Sequence, residues 1–331
     1  MSPTSYLLLY PAMWAQIYNF LANCNHLEHI LITFVAMEKV HKAGFVSIVG
    51  NPNVGKSTLM NALVGERLSI ITPKAQTTRH RILGILNAED YQMVLSDTPG
   101  VIQPSYEMQT SMMDFVKTAL EDSDILVYMI EMGEKQMKDP KLFAKIQGLN
   151  IPIILLLNKI DQSSQEELNQ TITHWETLLP KATIFPISAL TKFGVDQLLN
   201  YLVSLLPESP PYYPKDQLTD KPERFFVNET IREQILDQYD KEIPYAIEVE
   251  TESFLRDKKI IRIRAVIMVE RETQKGILIG HKGSALKRVG QGARKKLEVF
   301  FDQKIHLELF VKINKNWRSN DRQLKRFGYK H

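Results

Sequence analysis

Gly50-Asn-Pro-Asn-Val-Gly-Lys-Ser57 is the stretch that decides the fold. It fits G-x-x-x-x-G-K-[ST], and the apolar run 45–49, Phe-Val-Ser-Ile-Val, stands just before it, so the local order is strand, glycine-rich loop, helix. Two glycines let consecutive backbone N–H groups turn inward as a nest for phosphate oxygens, at the positive end of the helix that follows. On this reading Gly50, Asn51, Pro52, Asn53, Val54 and Gly55 cradle the phosphates of a nucleotide. Lys56 reaches the β- and γ-phosphates, and the Ser57 hydroxyl ligates Mg²⁺.

Working outward, residues 44–206 alternate apolar strand-like runs (45–49, 82–86, 91–96, 125–130, 151–157, 183–187) with amphipathic stretches (107–121, 141–147, 166–179, 195–205). This alternation predicts an α/β fold, a doubly wound and mostly parallel sheet with helices on both faces, whose ligand lies at the carboxyl ends of the strands. The remaining motifs fall at such ends. Asp97-Thr98-Pro99-Gly100 follows the run 91–96; Asp97 becomes the Mg²⁺-side carboxylate, and the Gly100 N–H is placed to sense a γ-phosphate.

Asn158-Lys159-Ile160-Asp161 ends the very apolar run 151–157. A carboxylate there can accept two hydrogen bonds, from the N1–H and the exocyclic amine of guanine, an arrangement that adenine lacks. Asp161 is thus the base-selecting residue, with Asn158 bracing and Lys159 flanking the pocket, while Ser188 and Ala189 offer backbone N–H groups to the guanine O6. Residues 73–81, Pro-Lys-Ala-Gln-Thr-Thr-Arg-His-Arg, make the polar loop expected over the phosphates, and Thr78 rather than Thr77 would complete the Mg²⁺ shell. Val101 stands where many GTPases carry the glutamine that orients the attacking water. Catalysis then rests on positioning by Lys56, Thr78 and Gly100, and hydrolysis should be slow.

A proline-rich break, Leu206-Pro-Glu-Ser-Pro-Pro-Tyr-Tyr-Pro214, with Pro222 beyond it, reads as a semi-rigid, extended linker. After it come a helix candidate at 228–239, two β-branched runs at 246–250 and 261–269 that suggest a hairpin, a short helix, a long helix to about residue 301 and a last strand at 304–313. Gly280-His281-Lys282-Gly283 sits between the two helices behind Ile-Leu-Ile, which is the arrangement of a KH module clamping a single-stranded backbone. Lys287, Arg288, Arg294, Lys295 and Lys296 extend the positive face, and Ile277, Ile279 and Leu286 offer a floor for unstacked bases. Trp317, Arg318, Arg322, Lys325, Arg326, Phe327 and Tyr329 interleave aromatics with cations, suited either to stacking and phosphate contact or to a C-terminal helix tucked against the KH domain.

Read together, Gly50–Ser57, Gln76-Thr-Thr-Arg-His80, Asp97-Thr-Pro-Gly100, Asn158-Lys-Ile-Asp161 and Ile187-Ser-Ala189 resemble the translation-factor-related bacterial GTPases, and among those the Era family. Val101 matches the hydrophobic residue of that family, and the C-terminal order of elements resembles its type II KH domain. The resemblance runs from Gly44 to the C-terminus. It implies a Mg²⁺-dependent GTPase that cycles between GTP and GDP. It further implies binding near the 3′ end of small-subunit (16S) rRNA, a role in 30S ribosomal subunit assembly, a cytoplasmic monomer and peripheral association with the inner face of the cell membrane.

Composition bounds these readings. The 331 residues, 44% of them hydrophobic, leave room for two ordinary domains, expected at 37–206 and 223–331 with 207–222 as the linker. A net charge of +3 hides an asymmetry: from Lys275 onward there are 15 Lys or Arg against 4 Asp or Glu, and upstream 26 against 34. Such a split suits a polyanion, nucleic acid first and an anionic membrane surface second. Cys24 is the lone cysteine, which excludes a disulfide framework and a thiolate metal cluster and points to a reducing compartment. Residues 1–36, an N-terminal extension of unknown role, have apolar runs too short for a membrane span and no Lys or Arg for a signal peptide. Met37 leads directly into the first strand and is expected as the physiological start, the alternative being an apolar appendage docked on the protein or on a membrane. Two other readings follow from the same residues: a membrane-surface GTPase whose apolar N-terminus and basic tail bind anionic lipid, and a P-loop ATPase or kinase.

Overall fold

The computed structural model describes residues 40–330, so the expectation for residues 1–36 lies outside the described residues. A six-stranded sheet carries the first half: β1 (Lys42–Val49), β2 (Ile82–Asn87), β3 (Tyr91–Asp97), β4 (Ile125–Glu131), β5 (Ile153–Asn158) and β6 (Thr183–Pro186), in the order β2-β3-β1-β4-β5-β6. β2 and β3 pair antiparallel and every other pair is parallel. The helices are α1 (Lys56–Val64), α2 (Glu107–Glu121), α3 (Pro140–Gln147), α4 (Gln165–Leu178) and α5 (Val195–Leu205). Strand pleating splits β4 between two cores. Ile125, Val127 and Met129 join Leu59, Met60 and Leu202 on one face, and Leu126, Tyr128 and Ile130 join Met112, Ile146 and Trp175 on the other. Burial on both faces is why the central strands read as unbroken apolar runs.

The proline-rich segment is bound down against this sheet. Ala43 N–H donates to Pro207 O at 3.0 Å and Ile85 N–H to Leu218 O at 2.8 Å, so the segment caps the exposed edge of β2. The fully buried Gln92 side chain accepts from the Tyr212 and Tyr213 amides at 2.7 and 2.9 Å and donates to Tyr213 O at 2.8 Å.

The second half has α6 (Glu223–Gln238), a short turn α7 (Ile243–Ala246), β7 (Glu248–Arg256), β8 (Ile260–Val269), α8 (Glu272–Ile279), α9 (Ser284–Phe301), β9 (Lys304–Ile313) and α10 (Asp321–Arg326). Its sheet runs β7-β8-β9, antiparallel then parallel. α6 starts five residues before the expected 228, directly after Pro222, and buries Glu229, Arg232, Glu233 and Gln234 beside Val227 and Ile231. Polar residues buried on a second face erase the amphipathic signal. Residues 243–246, part of them expected as strand, instead form a helical turn with Pro244 in it, and β7 continues past a bulge between Thr251 and Ser253. Among the described residues no helix is long and apolar enough to cross a membrane.

Candidate nucleotide site and nucleic-acid interface

The loop Gly50–Ser57 leaves β1 and enters α1 through Gly55, whose φ of 107° lies in the left-handed region that favours glycine. A cavity of about 480 Å³ opens above it. Every predicted motif reaches this cavity: Gly55, Lys56 and Ser57 from the loop, Thr77 and Thr78 from the polar loop, Gly100, then Asn158, Lys159 and Asp161, and finally Ser188 and Ala189. Gly50 O accepts from Val101 N–H at 3.0 Å, and Thr98 Oγ1 donates to Ile48 O at 2.7 Å, which fixes Asp97-Thr-Pro-Gly100 against the first loop.

Lys56 is buried, and its ammonium donates to Gly50 O at 3.2 Å and Asn51 O at 2.9 Å. Burial pulls its pKa down to about 8, against the attraction of Asp97 and Glu134. Three proposed metal donors meet at one point. Ser57 Oγ donates to Asp97 Oδ2 at 2.7 Å and lies 2.9 Å from Thr78 Oγ1, which itself is 3.4 Å from Asp97 Oδ2. Asp97 is fully buried, and its Oδ1 has no hydrogen-bond partner among the described residues. Burial pushes its carboxyl up, opposed by Lys56 and by the hydroxyl bonds. Two hydroxyls and a carboxylate with an unspent buried oxygen are hard donors of the kind Mg²⁺ takes together with phosphate oxygens.

At the far end Asn158 donates to Val54 O at 2.7 Å and accepts from Ala189 N–H at 2.9 Å, locking the base-side loops to the phosphate loop. Contrary to expectation, the two amides meant for the guanine O6 are engaged within the protein, Ala189 N–H by Asn158 and Ser188 N–H by Phe193 O at 3.1 Å. Lys159 sits at a φ of 65° and its ammonium pairs with Glu131. Asp161, exposed in the turn Ile160–Gln162, has no protein partner among the described residues, so its carboxylate is open to a ligand. Val101 is fully buried with Met108 and Met112, so its side chain points away from the cavity.

Two contributors went unseen in the sequence. Glu134 accepts from Asn51 Nδ2 at 2.7 Å, and burial pushes its carboxyl up to about 7. Arg232, from α6, donates to the carbonyls of Gln76 at 3.4 Å and of Thr77. Neither follows a motif; each depends on a partner more than 80 residues away.

In the second half, α8 ends at Gly280, residues His281–Gly283 form a single tight turn, and Gly283 caps α9. A groove of about 350 Å³ runs from Gly283 along α9 to β9, lined by Leu286, Lys287, Gly290, Arg294, Leu307 and Leu309. Lys287 and Arg294 thus flank an apolar floor, with His281 and Lys282 exposed at its end. Leu307 and Leu309 supply the floor beside Leu286, whereas Ile277 is an exposed residue of α8 outside the groove. Arg288 is exposed on α9 but does not line the groove, and Lys296 is taken up by Glu233 at 3.0 Å and Asp237 at 3.7 Å.

In the tail the structure takes the second of the two readings for the aromatic residues, which are not available for stacking on bases. Trp317 and Tyr329 are buried, Arg318 pairs with Glu270, and Arg326 pairs with Glu250 at 2.6 Å. Trp317 Nε1 donates to Ala246 O at 3.1 Å. The aromatics make an internal seam where the tail packs back onto α2 and β7, while Arg322, Lys325 and Arg326 stay exposed.

A phosphate-cradling loop on a doubly wound sheet, followed by a helix–hairpin–helix–loop–helix–strand module, defines a GTPase carrying a KH domain. Residues 45–159 match the family model described as 50S ribosome-binding GTPase, and residues 242–318 match the KH domain model. GTPase Era of Clostridium kluyveri is 42% identical over 291 residues, covering 87% of this chain and 99% of that protein. GTPase Era of Geotalea uraniireducens is 42% identical over 294 residues, covering 88% and 99%. The crystal structure of Era in complex with MgGDPNP and nucleotides 1506–1542 of 16S ribosomal RNA superposes with a TM-score of 0.84 at 37% identity, covering 88% of this chain and all of that one. A variant of Aquifex aeolicus Era bound to GDP·AlF4⁻ gives the same score and coverage. The chain belongs to the Era family of GTPases, and it is a GTP hydrolase.

Proposed function

We propose that this GTPase binds GTP and GDP with Mg²⁺, hydrolyses GTP slowly, and holds small-subunit rRNA near its 3′ end in the KH groove, assisting rRNA processing and 30S assembly as a cytoplasmic monomer. Its working units are residues 37–206 and 223–331, joined by 207–222. The observation that carries this reading is the likeness, over nearly the whole chain, to an Era that holds both MgGDPNP and 16S rRNA nucleotides.

The residues supply the chemistry as follows. Asp161, with no protein partner, accepts from guanine, and Asn158 holds the base loop and the phosphate loop at a fixed separation. The amides of Gly50–Ser57 and the Lys56 ammonium, exchanging its carbonyl partners for phosphate, stabilise charge on the transferring group. Ser57, Thr78 and Asp97 would hold Mg²⁺, which when bound neutralises charge on the phosphate oxygens. Gly100 N–H and Thr78 report the γ-phosphate to their loops. With Val101 turned into the core, no side chain is assigned to orient the water, which is the reason for a slow rate. Crosslinking in cells followed by sequencing of the attached RNA tests the proposal. Enrichment of the small-subunit 3′ end is expected; messenger or transfer RNA without that enrichment would refute it.

A further inference from the structure

Thr78 is held in place from outside its own half. On one side, Arg232 donates to the Gln76 and Thr77 carbonyls. On the other, the buried Arg79 donates to Pro244 O at 2.8 Å and Ile247 O at 2.7 Å and lies 3.5 Å from Glu248. The next residue, His80, stacks on Tyr329, with ring centroids 4.3 Å apart and planes 29° apart, while Phe225 meets it edge-on at 5.7 Å. Tyr329 is itself fixed, its hydroxyl donating to Glu248 Oε2 at 2.7 Å. The same tail reaches the second nucleotide-side loop. Arg318 lies over the Tyr106 ring at 4.8 Å, and Lys330 pairs with Glu107 at 3.0 Å.

We propose that the C-terminal tail, residues 317–330, is a working part of the hydrolysis site, with Tyr329 acting as a positioning residue that sets Thr78 through its stack on His80. The inference rests on Thr78 being the metal-side hydroxyl of the polar loop. The physical ground is that a hydroxyl on a loop is placed only as well as the backbone on both sides of it. Here those flanks are bound by Arg232, by the carbonyls that receive Arg79, and by the Tyr329 ring. GDP binding uses the phosphate loop and Asp161, neither of which touches the tail, so the two readouts separate.

The test measures single-turnover GTP hydrolysis and GDP affinity in the full chain for Tyr329→Ala, Tyr329→Phe and Thr78→Ala. Tyr329→Ala should lower the hydrolysis rate about 10- to 100-fold with GDP affinity kept within about twofold, and Tyr329→Phe, which keeps the ring, should stay near the parent. Unchanged hydrolysis in Tyr329→Ala, while Thr78→Ala is slow, overturns the positioning role alone. Unchanged hydrolysis in Thr78→Ala overturns the reading of Thr78 and the inference with it. Equal loss of rate and GDP affinity in both tyrosine variants also overturns it, since the damage would then be general.

Discussion

Two glycine loops in this chain look alike in sequence and do opposite things with their surroundings. Each ends in a left-handed glycine that caps a helix without a side-chain cap, Gly55 at φ 107° and Gly283 at φ 77°. Around Gly55 the space is full. A Cβ there would lie 2.3 Å from Asn158 Nδ2, and Asn158 is committed to Val54 and Ala189. Around Gly283 there is nothing within 4 Å of such an atom. The adjoining lysines differ likewise, Lys56 buried and folded on carbonyls and Lys282 in solvent. A closed loop suits one small ligand that must be enclosed and discriminated; an open loop suits a passing strand whose phosphates only need to approach.

Substitution at matched positions is the sharpest way to break this comparison. Gly55→Ala combines a strained φ with displacement of Asn158, and GDP affinity by titration with a fluorescent analogue should fall at least about 100-fold. A fall of only a few-fold would mean that the closed loop has slack. Lys287→Gln with Arg294→Gln removes two cations from the groove. Affinity for a single-stranded 16S 3′-end RNA should drop about tenfold, with the salt slope reduced by about 1.4 and GTP hydrolysis unchanged.

The brace behind the closed loop titrates. Glu134 has its carboxyl raised by burial from 4.5 to about 7, so the folded chain binds the proton more tightly than the unfolded one. The stability this gives is fully present below pH 4.5 and is lost as pH rises through 7. Thermal unfolding of Glu134→Gln should therefore depend less on pH across that window, by up to one proton in slope; identical slopes would show that the carboxylate pays no burial cost. Gly283→Ala should have the smallest effect. It meets no atoms and costs about 1 kcal/mol of backbone strain, so RNA affinity should fall a few-fold with nucleotide binding untouched.

Which parts were legible follows the same division. The strands of the first sheet, the helix Val195–Leu205 and the strand Lys304–Ile313 could be read from periodicity because each presents one consistent face, or two apolar ones, to a core. The bounds of α6 could not, since Arg232 and Glu233 are buried by partners elsewhere in the chain, the Gln76 and Thr77 carbonyls and Arg67, and buried polar residues blur the periodicity. Ile277 looked like floor and is exposed, while Leu307 and Leu309 looked like ordinary strand residues and line the groove.

The sequence by itself determined the nucleotide chemistry, because a phosphate nest, a guanine-reading carboxylate and a metal-side aspartate are each made by a few consecutive residues whose backbone geometry is local. Tertiary structure decided how those pieces are held and what the basic end is for. Asn158 became a tie between loops, Lys296 an internal ion pair, and Trp317 and Tyr329 a seam against the polar loop. A cation or an aromatic ring carries the same letter whether it meets solvent, an RNA base or a buried carboxylate, and only the packing of residues far apart in the chain settles which.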